Sequence, residues 1–455
     1  MQTRISSADV VHLRARWIVS MAGPPLRDHY ISLAGGRIAA VSSRVEGGEI
    51  IDLGDVALLP SLLNAHTHLE FSDLAAPLRQ PDSAAETRPA FADWIRAVIQ
   101  HRRNQREARF DTLVEAPPLA AIRQGQQESL RCGCTFLGEI ASDATAAPWV
   151  AHVEGVRFFE ILGLDPARQN MLLAAARDYL GNPRNPGWYA GLSPHAPYTV
   201  GFELLSKLVD VAVKMHAPMA MHLAETPEEL ELLQSQSGRL LDTLRRLDAW
   251  HPTAIPRGIT PSDYLRQLAR APRSLVIHGN YLDASDWSLL ASQSQMSVVY
   301  CPRTYASFHP VGYPLAAMLA AGVRVVVGTD SRASNPDLSV MRELQQVARF
   351  HPEIPPETVL SMATSRAADA LGVTADRGSI APGKIAHLAV VVLDTAADDH
   401  EALLSLLHSD RQPSSLIQSM EPTANGDRRT ETWIDADPAA NRELTQKLEV
   451  GSKVI

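Results

Sequence analysis

The middle of the chain alternates short apolar runs with longer stretches of helical periodicity. The apolar runs are Leu58–Leu63, Thr135–Ile140, Val156–Leu162, Trp188–Leu192, Pro218–Leu223, Ser274–Ile277, Ser297–Tyr300 and Arg324–Val327. Helical patterns lie between them, as at Phe202–Lys214, Pro227–Leu233, Pro261–Leu268 and Leu338–Phe350. Strands that alternate with helices indicate a parallel sheet, either open or closed, and eight strands are the number of a barrel. The pattern predicts an α/β fold, a (β/α)8 TIM barrel.

The two chain ends show a different pattern, of short strands without intervening helices. The candidate strands are Val10–Val19, Ile31–Leu33, Arg37–Val41, Ile50–Leu59 and, near the other end, Ala386–Leu393. Gly35-Gly36 is typical of a hairpin turn. We therefore predict a small β-sandwich domain formed by residues 1–58 and 375–455, around a barrel of residues 59–374. Leu74–Pro89 and a stretch from about Leu241 to Pro261 are expected to be long loops or lids.

Composition narrows the class of protein. The chain has 455 residues, of which 45% are apolar, and single cores rarely exceed about 300 residues, so a large domain with a smaller one is expected. The net charge of −9, without a basic cluster, argues against binding to nucleic acid or an anionic membrane. No secretory signal and no apolar stretch of about 20 residues is visible, which predicts no membrane span. The sequence leaves open whether the chain is a monomer or a homo-oligomer.

The cysteine content indicates the redox compartment. Cys132, Cys134 and Cys301 are an odd and sparse set, not a disulfide framework, which favours a reducing, cytoplasmic location. Cys132 and Cys134 are also too close together for a C-x-x-C motif, so we expect small buried residues.

Ionisable side chains follow the ends of the predicted strands. They are His66, His68, His195, His222, Glu225, His278 and Asp330. The carboxyl ends of barrel strands converge on one mouth, where active sites form. So many ionisable residues at strand ends are not explained as core filling, and the pattern predicts a catalytic site.

Two of these histidines have the spacing of metal ligands. Residues two apart in a strand point to the same face, so His66 and His68 can share one cation. His222 and Asp330 can complete the site and leave room for a bound water. A single histidine at a strand end can instead be a hydrogen-bonded structural residue, and Thr329-Asp330 can be a turn or a helix cap. Their joint occurrence in a fixed strand order favours the metal.

A second zinc motif competes for His68. His68-Leu-Glu70 is an H-x-E, as in one class of zinc deaminases, but that class also requires P-C-x-x-C, which the chain lacks. We therefore expect Glu70 to line the substrate pocket or to make a structural hydrogen bond. Neither H-E-x-x-H nor the full G-x-x-x-x-G-K-[ST] signature of a phosphate-binding loop occurs, since Ile385 follows Gly378–Lys384.

Taken together, these motifs resemble the amidohydrolase superfamily, in particular its branch of cytosine- and adenosine-type deaminases and triazine chlorohydrolases. The similarity is carried by Asn64–His68, Ser193–Tyr198, His222–Glu225, His278-Gly, Cys301-Pro and Gly328–Ser331, with Gly-Gly-Arg-Ile and Ala-Pro-Gly-Lys-Ile-Ala-His-Leu-Ala in the accessory β domain. The resemblance implies that one divalent cation, Zn²⁺ or Fe²⁺, is bound by His66, His68, His222 and Asp330.

The resemblance also implies catalytic roles for the neighbouring residues. Glu225 would be the proton shuttle, Asp330 would orient the attacking water, and His278 would stabilise the forming oxyanion. His195 would contact the substrate ring. These roles agree with general acid–base catalysis and with the water activation that a divalent cation provides. Glu225 has an alternative interpretation as a charge at the start of the helix that begins near Pro227.

Substrate specificity is indicated by two segments. Residues 66–72 and 91–99 resemble aminodeoxyfutalosine deaminases, and Trp94 and Arg96 would then contact the distal part of the ligand. The alternative is an amphipathic helix with a buried tryptophan. Residues 301–306, Cys-Pro-Arg-Thr-Tyr-Ala, depart from the usual Cys-Pro-x-Ser-Asn of the branch, so the region that contacts the ring is altered.

Three functions are therefore weighed. The first is hydrolytic deamination of an aminopurine nucleoside or a related N-heterocycle, a small-molecule substrate. The second is hydrolysis of a C–Cl bond or a ring amide by the same site. The third is a catalytically silent barrel, which is disfavoured because such relatives usually lose metal ligands and this chain keeps all four together with Glu225.

Overall fold

The structure is a computed structural model that describes residues 10–78, 90–108, 117–144, 150–182, 187–309, 312–393, 399–420 and 431–435. The chain forms two compact units. One comprises residues 1–63, 127–136 and 339–455, and the other comprises residues 64–126 and 137–338. The domain bounds at 58/59 and 374/375 stay a prediction.

The strands and helices are numbered in chain order. The strands are β1 Val11–Ile18, β2 Leu26–Ala34, β3 Arg37–Ser42, β4 Glu49–Asp52, β5 Val56–Pro60, β6 Leu62–Thr67, β7 Cys134–Ala141, β8 Glu154–Ile161, β9 Trp188–Pro194, β10 Met219–Leu223, β11 Ser274–His278, β12 Met296–Tyr300, β13 Val325–Val327, β14 His387–Val392, β15 Ser414–Met420 and β16 Glu431–Asp435. The helices are α1 Phe91–Ala108, α2 Pro117–Arg131, α3 Gln169–Gly181, α4 Phe202–Lys214, α5 Pro227–Ser235, α6 Gly238–Arg246, α7 Pro261–Leu268, α8 Ala284–Ala291, α9 Pro302–Phe308, α10 Leu315–Ala320, α11 Val340–Phe350, α12 Pro356–Ser361, α13 Ser365–Leu371 and α14 Asp399–His408.

Strands β6 to β13 form one eight-stranded sheet in consecutive order. The pairings from β8 to β13 are parallel. The last strand returns to the first, since the amide of Asp330 donates to His66 O over 3.0 Å and a Cβ on Gly328 would lie only 2.8 Å from His66 Cβ. The predicted (β/α)8 barrel is therefore confirmed.

The barrel strands are buried along nearly their whole length, as expected of parallel strands that are covered on both faces. Their β-branched content, such as Val325–Val327 in β13, suits that environment. Because sequential parallel strands need crossover helices, the mouth of the barrel receives the carboxyl end of every strand.

A second, mixed sheet joins both ends of the chain. Its order is β16-β15-β14-β5-β1-β2-β3, and β4 pairs with β1. Gly35 and Gly36 both have positive φ, 59° and 72°, as the tight turn between β2 and β3 requires. The sheet folds over, because Ile38 donates to Lys384 O just before β14 and one hydrophobic cluster combines residues of β2, β3, β14 and β15. The accessory β domain from both termini is thus confirmed.

Three local predictions differ from the structure. The run Leu58–Leu63 is broken at Ser61, because β5 pairs with β1 and β14 in the mixed sheet while β6 belongs to the barrel. The single strand predicted at Ile50–Leu59 is two strands, β4 and β5, separated by Gly54 with φ 77°. The start of the expected loop at Leu241 lies inside α6, whose leucines are buried.

Two other expectations concern loops and membranes. The first expected lid, Leu74–Pro89, lies for the most part outside the described residues. Within the part of the chain that is described, no helix is both long and apolar enough to cross a bilayer.

Candidate active site

Four side chains from three strands meet at the carboxyl end of the barrel. His66 lies in β6, His68 follows it, His222 lies in β10, and Asp330 lies three residues beyond β13. All four are buried, with at most 7% of their surface exposed. The structure therefore brings together the four residues that the sequence predicts as metal ligands.

The distances within this cluster suit a shared cation. Asp330 Oδ1 lies 3.4 Å from His66 Nε2 and 3.9 Å from His68 Nε2, and the Nε2 atoms of His68 and His222 are 3.4 Å apart. Nitrogen and oxygen ligands about 2.1 Å from a tetrahedral ion lie about 3.4 Å from each other. Ligand atoms of His66, His68 and Asp330 lie within 4.8 Å of one another, as do those of His66, His222 and His278.

The hydrogen bonds of the histidines agree with a role as ligands. His222 Nδ1 donates to His195 O over 3.0 Å, which fixes the tautomer and leaves the Nε2 lone pair facing His68. Both ring nitrogens of His66 and Nδ1 of His68 are buried without a hydrogen-bond partner among the described residues. Buried polar atoms are normally paired, so the unpaired Nε2 of His66, which faces Asp330 at 3.4 Å, fits a cation between the rings.

The electrostatics keep the imidazoles in the form that binds metal. Burial lowers the pKa of His68 to about 3 and that of His222 well below its usual value. Burial would raise the pKa of Asp330, but the ring of His66, whose Nε2 lies 3.4 Å from Oδ1, outweighs it and the net pKa is lowered. Ser334 Oγ donates to Asp330 Oδ2 over 2.8 Å and orients the carboxylate. These three imidazoles and one carboxylate could hold a divalent cation.

Backbone conformation aims the side chains at the mouth. Ala224, His278 and Asp330 have φ of 53°, 68° and 58°, although none is glycine. Each lies at or just beyond the end of a barrel strand. Such left-handed residues cost roughly 1–3 kcal/mol and cluster at functional sites, where the surrounding fold holds them in place.

Glu225 lies beside the cluster and lines the same cavity. Its Oε1 is 3.5 Å from His278 Nε2, and only 5% of the residue is exposed. Burial, followed by the charge of Asp330, raises its pKa well above the usual value. Helix α5 is capped by Thr226, so Glu225 precedes the helix, and the acidic residues of the first turn are Glu228 and Glu229. The alternative interpretation as a helix-terminal charge therefore applies to those two residues.

The backbone of Glu225 is fixed from both sides. Both carboxylate oxygens of Glu229 accept backbone N–H groups, from Ala224 over 2.8 Å and from Glu225 over 3.0 Å. Asn280 Nδ2 donates to Glu225 O over 2.9 Å. The sequence reasoning missed Glu229; a glutamate three residues after a threonine cap is the signal that could have drawn attention to it.

A cavity extends from the cluster and is walled by one face of α1. Trp94, Ile95, Val98, Ile99 and Arg102 of α1 line it, with Phe71 and Leu162 nearby. Trp94 Nε1 donates to Ala333 O over 3.1 Å and ties the start of α1 to the segment after β13. Arg96, by contrast, pairs with Asp93 at 2.6 Å and is not among the residues that line the cavity.

His195 forms the wall next to His222, with ring centroids 4.8 Å apart. Its Nδ1 is 2.8 Å from Thr199 Oγ1, and burial lowers its pKa. An imidazole in this place, neutral and facing the cavity, can hydrogen-bond a ring nitrogen of a heterocycle. His195 therefore lines the cavity, and its contact with a substrate ring stays a prediction.

Behind this wall lies a buried ionic cluster that the sequence reasoning did not find. Arg102 Nη2 lies 2.5 Å from Glu70 and 3.1 Å from Glu160, whose Oε1 is 3.8 Å from His195 Nε2. Glu70 also accepts from Ser142 Oγ over 2.8 Å, so a structural hydrogen bond is present and Glu70 is not among the residues that line the cavity. A glutamate inside the apolar run 156–162 was the available signal for Glu160.

The sequence of the chain is similar to those of known hydrolases. The profile of the Amidohydrolase family matches residues 57–424. The chain is 30% identical over 323 residues to an aminodeoxyfutalosine deaminase of Deinococcus radiodurans, covering 67% of this chain and 71% of that protein. It is 28% identical over 365 residues to a 5-methylthioadenosine/S-adenosylhomocysteine deaminase of Pyrococcus furiosus, covering 77% and 78%.

A solved structure agrees in fold. The aminofutalosine deaminase of Helicobacter pylori, in complex with methylthio-coformycin, superimposes with a TM-score of 0.73 over 92% of this chain and 100% of that chain. The two sequences are 21% identical, so this likeness supports the barrel and the accessory domain only.

Proposed function

This chain belongs to the amidohydrolase family, and on that premise we propose that it is a metal-dependent hydrolase that releases ammonia from an aminopurine nucleoside. The observation that carries the proposal is the convergence of His66, His68, His222 and Asp330, with Glu225 on the cavity side of the cluster. Curated relatives named as deaminases of adenosine-type nucleosides support the same reaction class, hydrolysis of a C–N bond in a cyclic amidine.

We propose that these four residues hold one divalent cation. Histidine and carboxylate ligands suit Zn²⁺ and also Fe²⁺. When bound, such a cation lowers the pKa of a water from about 15.7 to about 7 and so supplies a nucleophile at neutral pH. His278 is assigned a different role because its Nε2 faces Glu225 at 3.5 Å, on the side where the substrate would react.

Glu225 is proposed to move the protons. Attack on the amino-bearing carbon develops charge on the adjacent ring nitrogen, which needs a proton, and the amine leaves only when it is protonated. Burial and the charge of Asp330 raise the pKa of this carboxyl group, so it holds a proton more readily than an exposed glutamate and can pass that proton to the substrate. His278 stabilises the oxygen on which charge forms, and Asp330 accepts a hydrogen bond that orients the attacking water.

The residues that line the cavity favour a nucleoside whose substituent is uncharged and partly apolar. The purine would lie against His195, and the wall formed by Ile95, Val98, Ile99 and Leu162 would contact the part of the ligand beyond the sugar. Trp94 lines that wall, and its contact with the ligand is part of this proposal. A contact from Arg96 or Glu70 stays a prediction.

The test combines metal analysis with an ammonia-release screen of the purified protein. The panel contains adenosine, 5′-methylthioadenosine, S-adenosylhomocysteine, aminodeoxyfutalosine, a pterin with a ring amino group and a chlorinated triazine. We expect about one equivalent of zinc or iron and ammonia release from at least one adenosine-type nucleoside. Release of chloride from the triazine without ammonia from any nucleoside would replace deamination by the second reaction class, and a metal-free, inactive protein would overturn the proposal.

The cellular setting is proposed on separate grounds. The chain has only three cysteines, an odd and sparse set, which agrees with a reducing compartment such as the cytoplasm. Cys134 and Cys301 are buried as expected, whereas Cys132 is partly exposed. A homo-oligomer stays a prediction that sedimentation would test.

A further inference from the structure

We propose that Arg102 determines substrate specificity: it donates a hydrogen bond through Nη1 to an uncharged hydroxyl of the nucleoside sugar, and the carboxylates that hold it exclude anionic substituents. This inference rests on the proposed deaminase function and names the part of the substrate that one wall of the cavity recognises.

Three contacts fix the guanidinium before any ligand binds. Arg102 Nε donates to Glu70 Oε1 over 3.1 Å, and Nη2 bridges Glu70 at 2.5 Å and Glu160 at 3.1 Å. Its Cζ lies 5.4 Å above the ring of Phe71. A long side chain that is already ordered loses little conformational entropy on binding, so a hydrogen bond from it contributes more to affinity.

The remaining nitrogen of Arg102 is available to a ligand. Nη1 makes no hydrogen bond to any residue that the structure describes, and it is not one of the fully enclosed unpaired atoms. The side chain is 20% exposed and lines the same cavity as Ile99 and His195. Because Glu160 lies 3.8 Å from His195 and 3.1 Å from Arg102, the guanidinium is one residue away from the proposed ring contact. That position corresponds to the sugar and not to the reacting carbon.

The charge of this cluster selects against anions. The charge of Arg102 holds the pKa of Glu160 down at about 2 despite burial, and the two glutamates raise the pKa of Arg102. With Glu70 also paired to the guanidinium, two negative charges surround one positive charge, and the cluster is net anionic. In a partly desolvated cavity a phosphate or carboxylate beside it would be repelled, whereas a neutral hydroxyl accepts the free N–H without a Coulomb penalty.

The first experiment compares Arg102→Met with Arg103→Met. Arg103 is the next residue of α1 and is exposed, so its substitution changes net charge equally without changing the cavity. For adenosine we expect Arg102→Met to lower kcat/KM by about 10- to 100-fold, the usual effect of losing a hydrogen bond from a charged group. Most of this change should be an increase in KM. Arg103→Met should match the wild type. Arg102→Lys, which keeps the charge but not the fork of donors, should fall between them.

Sugar analogues locate the contact. With 2′-deoxyadenosine and 3′-deoxyadenosine, the penalty of Arg102→Met should disappear for the analogue that lacks the accepted hydroxyl. An equal loss with adenosine and both analogues would overturn the hydroxyl contact. In the wild type, kcat/KM should be much lower for adenosine 5′-phosphate than for adenosine. Glu70→Gln should reduce the ratio of kcat/KM for adenosine to kcat/KM for the phosphate. If this ratio is unchanged or larger in the variant, the proposal that the carboxylates exclude anions is overturned.

Failure of the inference is distinguishable from failure of the proposed function. If the wild type releases no ammonia from any nucleoside, the deaminase proposal fails, but the affinity of the metal-loaded protein for inosine, measured by calorimetry, still tests Arg102. Inosine should bind the wild type at least about tenfold more tightly than it binds Arg102→Met. Equal affinities, with equal metal content and equal thermal midpoints, would refute the subsite.

Discussion

Replacement of Glu225 by glutamine removes one carboxylate oxygen and leaves the rest of the site in place. The hydrogen bonds from Asn280 to Glu225 O and from Glu225 N to Glu229 involve the backbone, so the variant keeps them. None of the four proposed metal ligands is changed. The substitution therefore isolates the transfer of protons from the binding of the metal.

The expected loss follows from the role of the group. A positioned general acid–base group contributes about 10²- to 10⁴-fold, so Glu225→Gln should raise the barrier by about 3–5 kcal/mol. The amide also replaces an acceptor 3.5 Å from His278 Nε2 with a group that can donate, which weakens the orientation of that ring. We expect the loss in kcat, with KM within a factor of a few.

The assay measures ammonia release under single-turnover and steady-state conditions, together with metal content. Glu228→Gln is the matched control, since Glu228 carries the same chemical group three residues later, in the first turn of α5, and does not line the cavity. The smallest loss expected on removing such a group is about 10²-fold. The reasoning is therefore refuted if Glu225→Gln keeps more than about a tenth of wild-type kcat, a loss of less than about tenfold. Loss of the metal from Glu225→Gln would refute it equally, because the residue would then be part of the metal site.

Three further predictions test the metal site and its support. Asp330→Asn keeps the shape of a ligand but not its charge, so metal affinity should fall by more than about tenfold, measured by competition with a chelator; retention of full affinity would contradict its role. Gly328→Ala places a Cβ 2.9 Å from the backbone N and O of His66, so β13 must move away from β6. The thermal midpoint and the metal content should both fall. A variant with both values unchanged would argue against the closed barrel. Burial raises the pKa of Glu229 to about 7 from 4.5, so the folded protein keeps a proton that the unfolded chain releases between these values, and stability should fall by roughly 3 kcal/mol as the pH rises from 4.5 to 7. Glu229→Gln should flatten that dependence of the thermal midpoint on pH, and an equally steep dependence in the variant would refute the assignment.

Much of the fold could be predicted from local pattern. The buried runs and the helices between them have the periodicities of strands and helices, and the predicted helices Phe202–Lys214 and Pro261–Leu268 coincide with α4 and α7. The exception at Ser61 is instructive. The pattern of Leu58–Leu63 predicts one apolar strand. In the structure its first residues belong to β5, which pairs in the mixed sheet with β14, more than 300 residues away in sequence, and its last residues belong to β6 of the barrel.

The ligand set could also be predicted, because metal chemistry restricts residue types and strand ends converge on one mouth. His66 and His68 needed only the two-residue period of a strand to share a face. His222 and Asp330 needed only the rule that carboxyl ends of barrel strands meet.

The groups that tune the site depended on tertiary structure. Glu160 lies inside an apolar run and Glu229 follows a threonine cap, but these local signals do not show what the two side chains contact, and Arg102 lies in an ordinary helical pattern. Their importance comes from burial and from partners that lie 32 and 58 residues away, as for Arg102 with Glu70 and Glu160. Period and residue type are local properties of the sequence. The shifted pKa of a buried carboxyl group and the pairing that leaves one guanidinium nitrogen open to a ligand arise only once distant segments pack together and exclude water.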